Sequence, residues 1–525
     1  MGSDELFRSV PAMVRASATR FGSRVAIIDG DERLTFTDVD RQMREVAKAL
    51  IASGVEKGDR VAVWAPNSWR WIVAALGTLA TGAWLVPVNT RFKGHEAAFS
   101  LGKTDAKVLF TVGDFVGNDY VAMLQHEDQS LSALKNVVFV DDSARDGVVS
   151  WADFITRGAA IDDAVVDERI AAISPDDVSD VIFTSGTTGM PKGVMLRHGA
   201  SMKAFIDHYN VGFELHEGDV ALILSPFFHC FGYKAGWMLA LAVGATSIPV
   251  AVFDPEKAMA DVVEHGVTHL AGAPTFFVAM LNHPNRDKYH FTTVRKGLMS
   301  AAYVPAELFH RIVDEMGMQS AITGYGLTEA HALGSVSMPG DDPDYTAAWS
   351  GKVIPEIEVR IVDDEGNDVP LGERGELLIR GYVVMTGYYG DPEATASVID
   401  TDGWLHTGDI AYMNDRGYIK IADRKKDMYI MGGFNVAPAE VEGVLTEWDK
   451  IAQAAVIGVP DDHFGEVGMA FVIPRVGVTL TPEEVVDYAR SKLANFKVPR
   501  KVEIVDSLPL NATGKVLKND LRARA

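Results

Sequence analysis

Residues 184–193 read TSGTTGMPKG, with three glycines, one lysine and four hydroxyl side chains in ten positions. Phosphate oxygens are held well where backbone N–H groups converge, and Gly186 and Gly189 permit the dihedrals and close approach this needs. Thr184, Ser185, Thr187 and Thr188 add hydroxyls, and Lys192 adds a point charge. A Walker loop reads G-x-x-x-x-G-K-[ST] and opens a helix. Here Lys192 is followed by Gly193 and the apolar run VML (194–196), and DVIF (180–183) precedes the loop. The expectation is strand–loop–strand, and composition alone leaves a plain surface turn equally open. Further along the chain other reactive types have bland local readings. Thr328–Glu329 could start a helix, Asp409 could be a turn residue after Gly408, and Lys515 could be a tail lysine. His229 could be a satisfied core histidine, Tyr325 a buried aromatic, and Gly432–Gly433 a tight turn.

The motifs take on more meaning in order: TSGTTGMPKG, YGLTEA (325–330), HTGD (406–409), DRKKDMYIMGGFNVAPAEVE (423–442) and NATGK (511–515). Together they resemble the adenylate-forming superfamily of acyl-CoA synthetases, luciferases and carrier-loading adenylation domains, over essentially the whole chain. The resemblance implies carboxylate plus ATP giving acyl-adenylate and pyrophosphate, then a thioester with coenzyme A. Two anions must meet in the first step, so cations and positioning matter more than a base. By the same resemblance, the loop Thr184–Gly189 with Lys192 would hold the β- and γ-phosphates, and Glu329 would ligate Mg2+, which takes one or two carboxylates beside phosphate oxygens and waters. Thr328 would hydrogen-bond the α-phosphate. Tyr325 would stack on adenine, with Ala301 of the short SAA loop (300–302) nearby. Asp409 would accept the ribose hydroxyls, and Arg424 would reach ribose or phosphate. Lys515 would bridge the attacking carboxylate and the α-phosphate. Relatives are often silenced by acetylation of this lysine, which makes an acetyltransferase an implied regulatory partner. Asp423 would be a hinge, about which Lys515 swings out and Gly432–Gly433 swings in to let the pantetheine thiol pass. Ala437–Pro438 departs from the aromatic–Pro or Ser–Pro pair more usual there, which bears on the CoA side.

SPFFHCFGYKAGWM (225–238) falls where the family keeps its acyl-pocket motif. Phe228, His229, Gly232 and Tyr233 are the implied pocket residues, with His229 gating acyl and thiol channels. FFHCFGYKAG resembles the branch that activates a bicyclic, ring-bearing propanoate left by actinobacterial steroid breakdown. A medium- or long-chain fatty acid is the alternative, an aromatic acid the next. An enzyme loading a carrier protein is a further alternative. A nucleotide sensor without chemistry would be expected to lack Glu329 or Lys515, and both are present. Nothing in the sequence names an oxygen site for a luciferase-like oxygenase.

These residues need a scaffold. A chain of 525 residues exceeds one compact core, so two or more domains are expected. Hydrophobic residues make up 47% and charged ones 23%, as in ordinary folded proteins. The net charge of −23 disfavours nucleic acid and anionic membrane, so a polyanionic ligand must be met by local Lys and Arg. One cysteine, Cys230, excludes an intrachain disulfide and fits a cytoplasmic protein. Neither a signal peptide nor a membrane span is evident. Up to about residue 350, helical and strand patterns alternate: helix 38–54, strand 59–66, helix 69–83, strand 84–89, and later helix 257–266 before strand 267–274. This predicts helix-covered parallel sheets. Residues 356–363 and 375–381 read as antiparallel strands, a small antiparallel barrel in the family's terms. The tail reads as helix 438–448, strands 452–460 and 468–474, helix 481–493 and strand 502–506. The fold class is thus α/β, with a large N-terminal domain (1–422) and a small mobile α+β C-terminal domain (423–525). Many relatives form homodimers through the large domain.

Overall fold

The structure is a computed structural model that describes residues 8–125, 127, 131–141, 143–184, 191–300, 304, 306–424, 427–431, 434–461 and 464–525. Its chain divides into two units. The first comprises Met1–Ala271, Gly326–Gly334 and Gly381–Thr401.

A seven-stranded sheet crosses this first unit, in the order 387–388, 192–197, 178–184, 84–87, 60–64, 108–111, 136–139. The five strands from 178–184 onward run parallel, which requires crossover connections. Two of the helices around the sheet are those the apolar spacing predicts. Phe36–Ala52 begins in a capping box, Thr35 with Asp38, and Trp69–Ala80 is capped by Ser68. Both strand faces are covered, so Val61, Ala62, Val63 and Trp64 are wholly buried in succession. A second parallel set, His269–Gly272, Val220–Ile223, Thr246–Pro249 and Val25–Asp29, ends in a hairpin with Glu32–Thr35. Pro255–Glu264 is the helix expected before His269, started by Asp254. The apolar stretch after residue 230 is less regular than its sequence suggests. Lys203–Tyr209 and Phe231–Met238 are π-helical, and Gly236 breaks the second with non-helical dihedrals, φ −88° and ψ −107°.

The other unit comprises Gly272–Tyr325, Ser335–Arg380 and Asp402–Ala525. Lys296–Met299 and Ala321–Tyr325 pair in parallel within it. An antiparallel sheet follows in the order 357–362, 375–381, 405–413, 419–424, which is the change of texture expected after residue 350. The last hundred residues form the expected α+β piece. Ile451–Asp461 and Gly465–Pro474 pair along their full length, and Lys501–Ile504 joins in parallel. Helices Pro438–Thr446 and Pro482–Lys492 contribute Val441, Leu445, Val485 and Ala489 to a shared core with Val456, Phe471 and Val472.

Candidate active site

The phosphate-loop flanks are what the sequence predicts. Val178–Thr184 and Lys192–Arg197 form an antiparallel hairpin with Thr184 opposite Lys192. Ser185, Gly186, Thr187, Thr188 and Gly189 lie outside the described residues. The Lys192 ammonium stands over the ring of Tyr388, 4.9 Å from its centroid. Tyr388 pairs beside the hairpin, opposite Val194. Its hydroxyl donates to Glu329 Oε1 at 3.0 Å, so burial and the Glu329 charge raise the phenol's pKa. Glu329 itself is half-buried on a short turn, Thr328–Ala330, next to buried Thr328. Cys230 is packed against the same turn and within reach of the Thr328 hydroxyl; burial pushes its thiol up to about 12. This thiol is inert at neutral pH.

Beneath the hairpin lies a buried ion pair. Lys234 Nζ is 3.0 Å from Asp180 Oδ1 and 2.7 Å from Ser201 Oγ, and both charged side chains are 0% exposed. Asp180 is on the strand that leads into the phosphate loop, and Lys234 is on the acyl-motif segment. The pair therefore locks those two segments together.

On that segment, His229 Nδ1 accepts the Phe231 N–H at 3.3 Å, which places its ring proton on Nε2. Gly232 admits no side chain, since a Cβ would sit 2.3 Å from the Ser225 and Pro226 carbonyl oxygens. Phe228 is nearly buried. Tyr233 is wholly buried, stacked on Trp237 at 4.7 Å and edge-on to Trp71. An apolar cavity lies alongside, walled by Phe213, Ser225, Phe231, Ala235, Gly236 and His269. Its share of the acyl motif is thus Ser225, Phe231, Ala235 and Gly236.

In the other unit, Tyr325 donates its hydroxyl to Asp409 Oδ2 at 2.6 Å. Burial, then the Asp409 charge, holds that phenol well above its ordinary pKa. Arg424 is the strand partner of Asp409, with Nε 3.5 Å from Oδ1. Ser300 donates to the Gly324 carbonyl oxygen at 3.0 Å. Ala301 lies outside the described residues. Three of the implied nucleoside residues, Tyr325, Asp409 and Arg424, are therefore in mutual contact or pairing. Thr407 was not singled out from sequence, yet it accepts the Asp409 N–H at 3.1 Å and fixes the carboxylate's approach.

Lys515 sits in a loop organised by Asn511, whose Oδ1 accepts from Thr513 N, Thr513 Oγ1 and Lys515 N at 3.0, 2.7 and 2.8 Å. Gly514 has φ +80°, and its carbonyl accepts from Thr275 Oγ1 at 3.1 Å. A Cβ there would meet that hydroxyl at 2.4 Å. Asp423 is buried and accepts from Arg424 N at 2.7 Å and from Ala439 N at 2.9 Å. Ala437 cannot cap the helix Pro438–Thr446 with its side chain, and the Asp423 carboxylate supplies that acceptor instead. Burial raises the Asp423 pKa, and nearby Lys518 opposes the shift. Gly432 and Gly433 lie outside the described residues; Met431 is opposite Phe434 across that hairpin.

Comparison with known proteins identifies the family. The AMP-binding enzyme family matches residues 14–389, and the AMP-binding enzyme C-terminal domain matches 440–515. The chain belongs to the AMP-binding enzyme family. Within it, the chain is an AMP-forming acid–CoA ligase, with ATP and coenzyme A as substrates. It is 47% identical to the 3-[(3aS,4S,7aS)-7a-methyl-1,5-dioxo-octahydro-1H-inden-4-yl]propanoyl:CoA ligase of Rhodococcus jostii (strain RHA1), over 98% of each chain. A ligase of the same name from Mycobacterium tuberculosis (strain ATCC 25618 / H37Rv) is 46% identical, again over 98% of each. The fold is similar to that of the anthranilate CoA ligase AuaEII in complex with anthranoyl-AMP, with TM-score 0.91 and 26% identity, covering 100% of this chain and 99% of that one. Among the described residues, no helix is long and apolar enough to cross a membrane.

Proposed function

We propose that the acid this ligase activates is a propanoate carrying a compact bicyclic ring, the substrate class in the names of the Rhodococcus and Mycobacterium relatives. The observation that carries the reading is the full-length likeness to those two ligases, 47% and 46% identity over 98% of each chain. A small cavity beside the acyl motif is lined by aromatic Phe213 and Phe231 and by small Ala235 and Gly236. Ser225 and His269 add polar groups to an otherwise apolar lining.

In this reading the loop 184–189 and Lys192 hold the ATP phosphates. Asp409 takes the ribose hydroxyls, Tyr325 and Arg424 orient that carboxylate, and Ala301 flanks the adenine. Lys515 places its ammonium against the acid and the α-phosphate, where negative charge builds, and Thr328 donates there too. Pyrophosphate leaves as the acyl-adenylate forms. The chain then turns about Asp423, the junction of domains 1–422 and 423–525. Lys515 withdraws, and Gly432–Gly433 bring the CoA thiol to the acyl carbon past His229. The thiol sulfur bonds to that carbon, and AMP is released. Glu329 fits Mg2+: it is a half-buried carboxylate, and the Tyr388 hydroxyl occupies Oε1. Bound there, the ion would neutralise phosphate charge. ATP and CoA place the work in the cytoplasm, and acetylation of Lys515 is the natural point of control.

The test is pyrophosphate release, with and without CoA, over octanoate, palmitate, a hydroxycinnamate and the bicyclic ring propanoate. Fast CoA-dependent turnover on the ring acid alone is expected. A linear fatty acid as the best substrate overturns the assignment.

A further inference from the structure

The turn that carries Thr328 and Glu329 is closed at its neck. Ala332 N donates to the Leu327 carbonyl oxygen at 2.8 Å, and a Cβ on Gly326 would lie 2.1 Å from the Ala332 carbonyl oxygen. Closing so small a loop forces His331 and Ala332 into left-handed backbone, φ 50° and 61°. Two successive non-glycine residues in that region are unfavourable and persist only where the surroundings hold them. What holds them is the His331 imidazole, which is wholly buried. Its Nε2 accepts the Arg197 N–H at 3.1 Å, at the end of the phosphate-loop hairpin. Nδ1 therefore carries the proton and donates to the Val383 carbonyl oxygen at 2.5 Å. Both bonds require the neutral ring, and burial pushes its pKa well down.

Val383 begins the segment that grips Glu329 twice more. Met385 N donates to the Glu329 carbonyl oxygen at 2.8 Å, and the Tyr388 hydroxyl donates to its carboxylate. We propose that His331 is a positioning residue: it ties the Glu329 turn to the hairpin and to residues 383–388, and through Tyr388 it fixes the carboxylate for the metal–ATP complex. This rests on Glu329 as metal ligand and extends that assignment to how its geometry is set. Partners that orient a metal ligand typically change metal affinity about 10- to 100-fold when removed.

The experiment uses the full-length chain. MnATP binding is followed by electron paramagnetic resonance in the absence of acid, so no turnover occurs. Glu329→Gln, Tyr388→Phe, His331→Asn and the last two combined are compared, with KM for CoA and thermal midpoint measured in parallel. Asn suits left-handed backbone but cannot span both partners. Tyr388→Phe and His331→Asn are each expected to weaken MnATP binding about tenfold. Together they should lose little more than either alone, because they act on one carboxylate, and KM for CoA should stay unchanged. If Glu329→Gln leaves MnATP affinity intact, the metal assignment fails. If Glu329→Gln weakens it while Tyr388→Phe and His331→Asn do not, or if their losses simply add, the positioning role fails alone. Should His331→Asn not fold, Tyr388→Phe decides: an unchanged affinity overturns the proposal.

Discussion

Lys515 is anchored to its loop through its backbone N–H. Asn511 accepts its N–H, so replacing the side chain leaves the loop in place. Lys515→Ala is expected to slow adenylate formation by about 10²–10³-fold, the usual loss when one transition-state charge donor goes. Thioester formation from preformed acyl-adenylate should persist. Pyrophosphate release and a CoA-capture assay, run separately, check both halves. At the nucleoside end, Asp409→Asn keeps the shape but removes the charge that Tyr325 and Arg424 face. KM for ATP should rise about tenfold, roughly 1.4 kcal/mol, with kcat changed far less, since binding is lost equally in ground and transition states. An unmoved KM for ATP would remove Asp409 from the nucleotide.

Short turns decide this site more than long elements do. Gly326→Ala pushes a methyl into the Ala332 carbonyl and reopens the neck of the Glu329 turn. A destabilisation of about 1–3 kcal/mol is expected, with pyrophosphate formation lost while circular dichroism stays native. The elements themselves were largely legible. DVIF and VML announced the hairpin because β-branched and apolar runs on either side of a glycine-rich loop favour strands. The helix expected over 481–493 is Pro482–Lys492, opened by a capping box of Thr481 with Glu484. The α+β tail came out with most boundaries within two residues, because each helix and strand there carries its own period. What could not be read is what depends on distant partners. Tyr388 meets Glu329 across 59 positions, and no local pattern marks the pairing. Lys234 looks misplaced in FGYKAGWM until Asp180 is found beside it. The π-helical turn of 231–238 with its break at Gly236 puts Phe231, Ala235 and Gly236 on a cavity wall. Helical periodicity assumes 3.6 residues per turn, and the substrate segment departs from it.

At the scale of the molecule, two buried neutral histidines set an acid limit. His198, which accepts the Val10 N–H at 3.3 Å, is pushed down to about 3 by burial, and His331 shifts the same way. The unfolded chain binds protons at both below about pH 6.5, and the folded chain does not. Their contribution is therefore complete above that pH and declines as pH falls below it, by about 1.4 kcal/mol per unit for each histidine until its own lowered pKa is reached, about 3 for His198. Urea unfolding of the first unit at pH 7.5 and 5.5 should differ by about 3 kcal/mol from this source, and His198→Asn should roughly halve the difference. A pH-independent midpoint would contradict burial of the two rings. The proposed hinge at Asp423 is testable separately. Asp423→Ala removes the acceptor for Ala439 and Arg424 N–H groups. Single-turnover quench should show adenylate accumulating ahead of a slowed thioester.

The buried pair of Asp180 and Lys234 has a consequence for how such a ligase can change over generations. Losing either charge alone strands the other in the core, at about 3–5 kcal/mol, a large share of the roughly 5–15 kcal/mol that keeps a domain folded. Replacing both together by apolar residues is close to neutral. Descendants of this sequence should therefore keep the two or exchange them in one step, with single-change intermediates rare. Lys234 lies in the stretch proposed to shape the acid pocket, so on that reading drift toward new acids must proceed around a fixed lysine. A library randomised at both positions and selected for growth should return charged pairs and apolar pairs, and few mixtures.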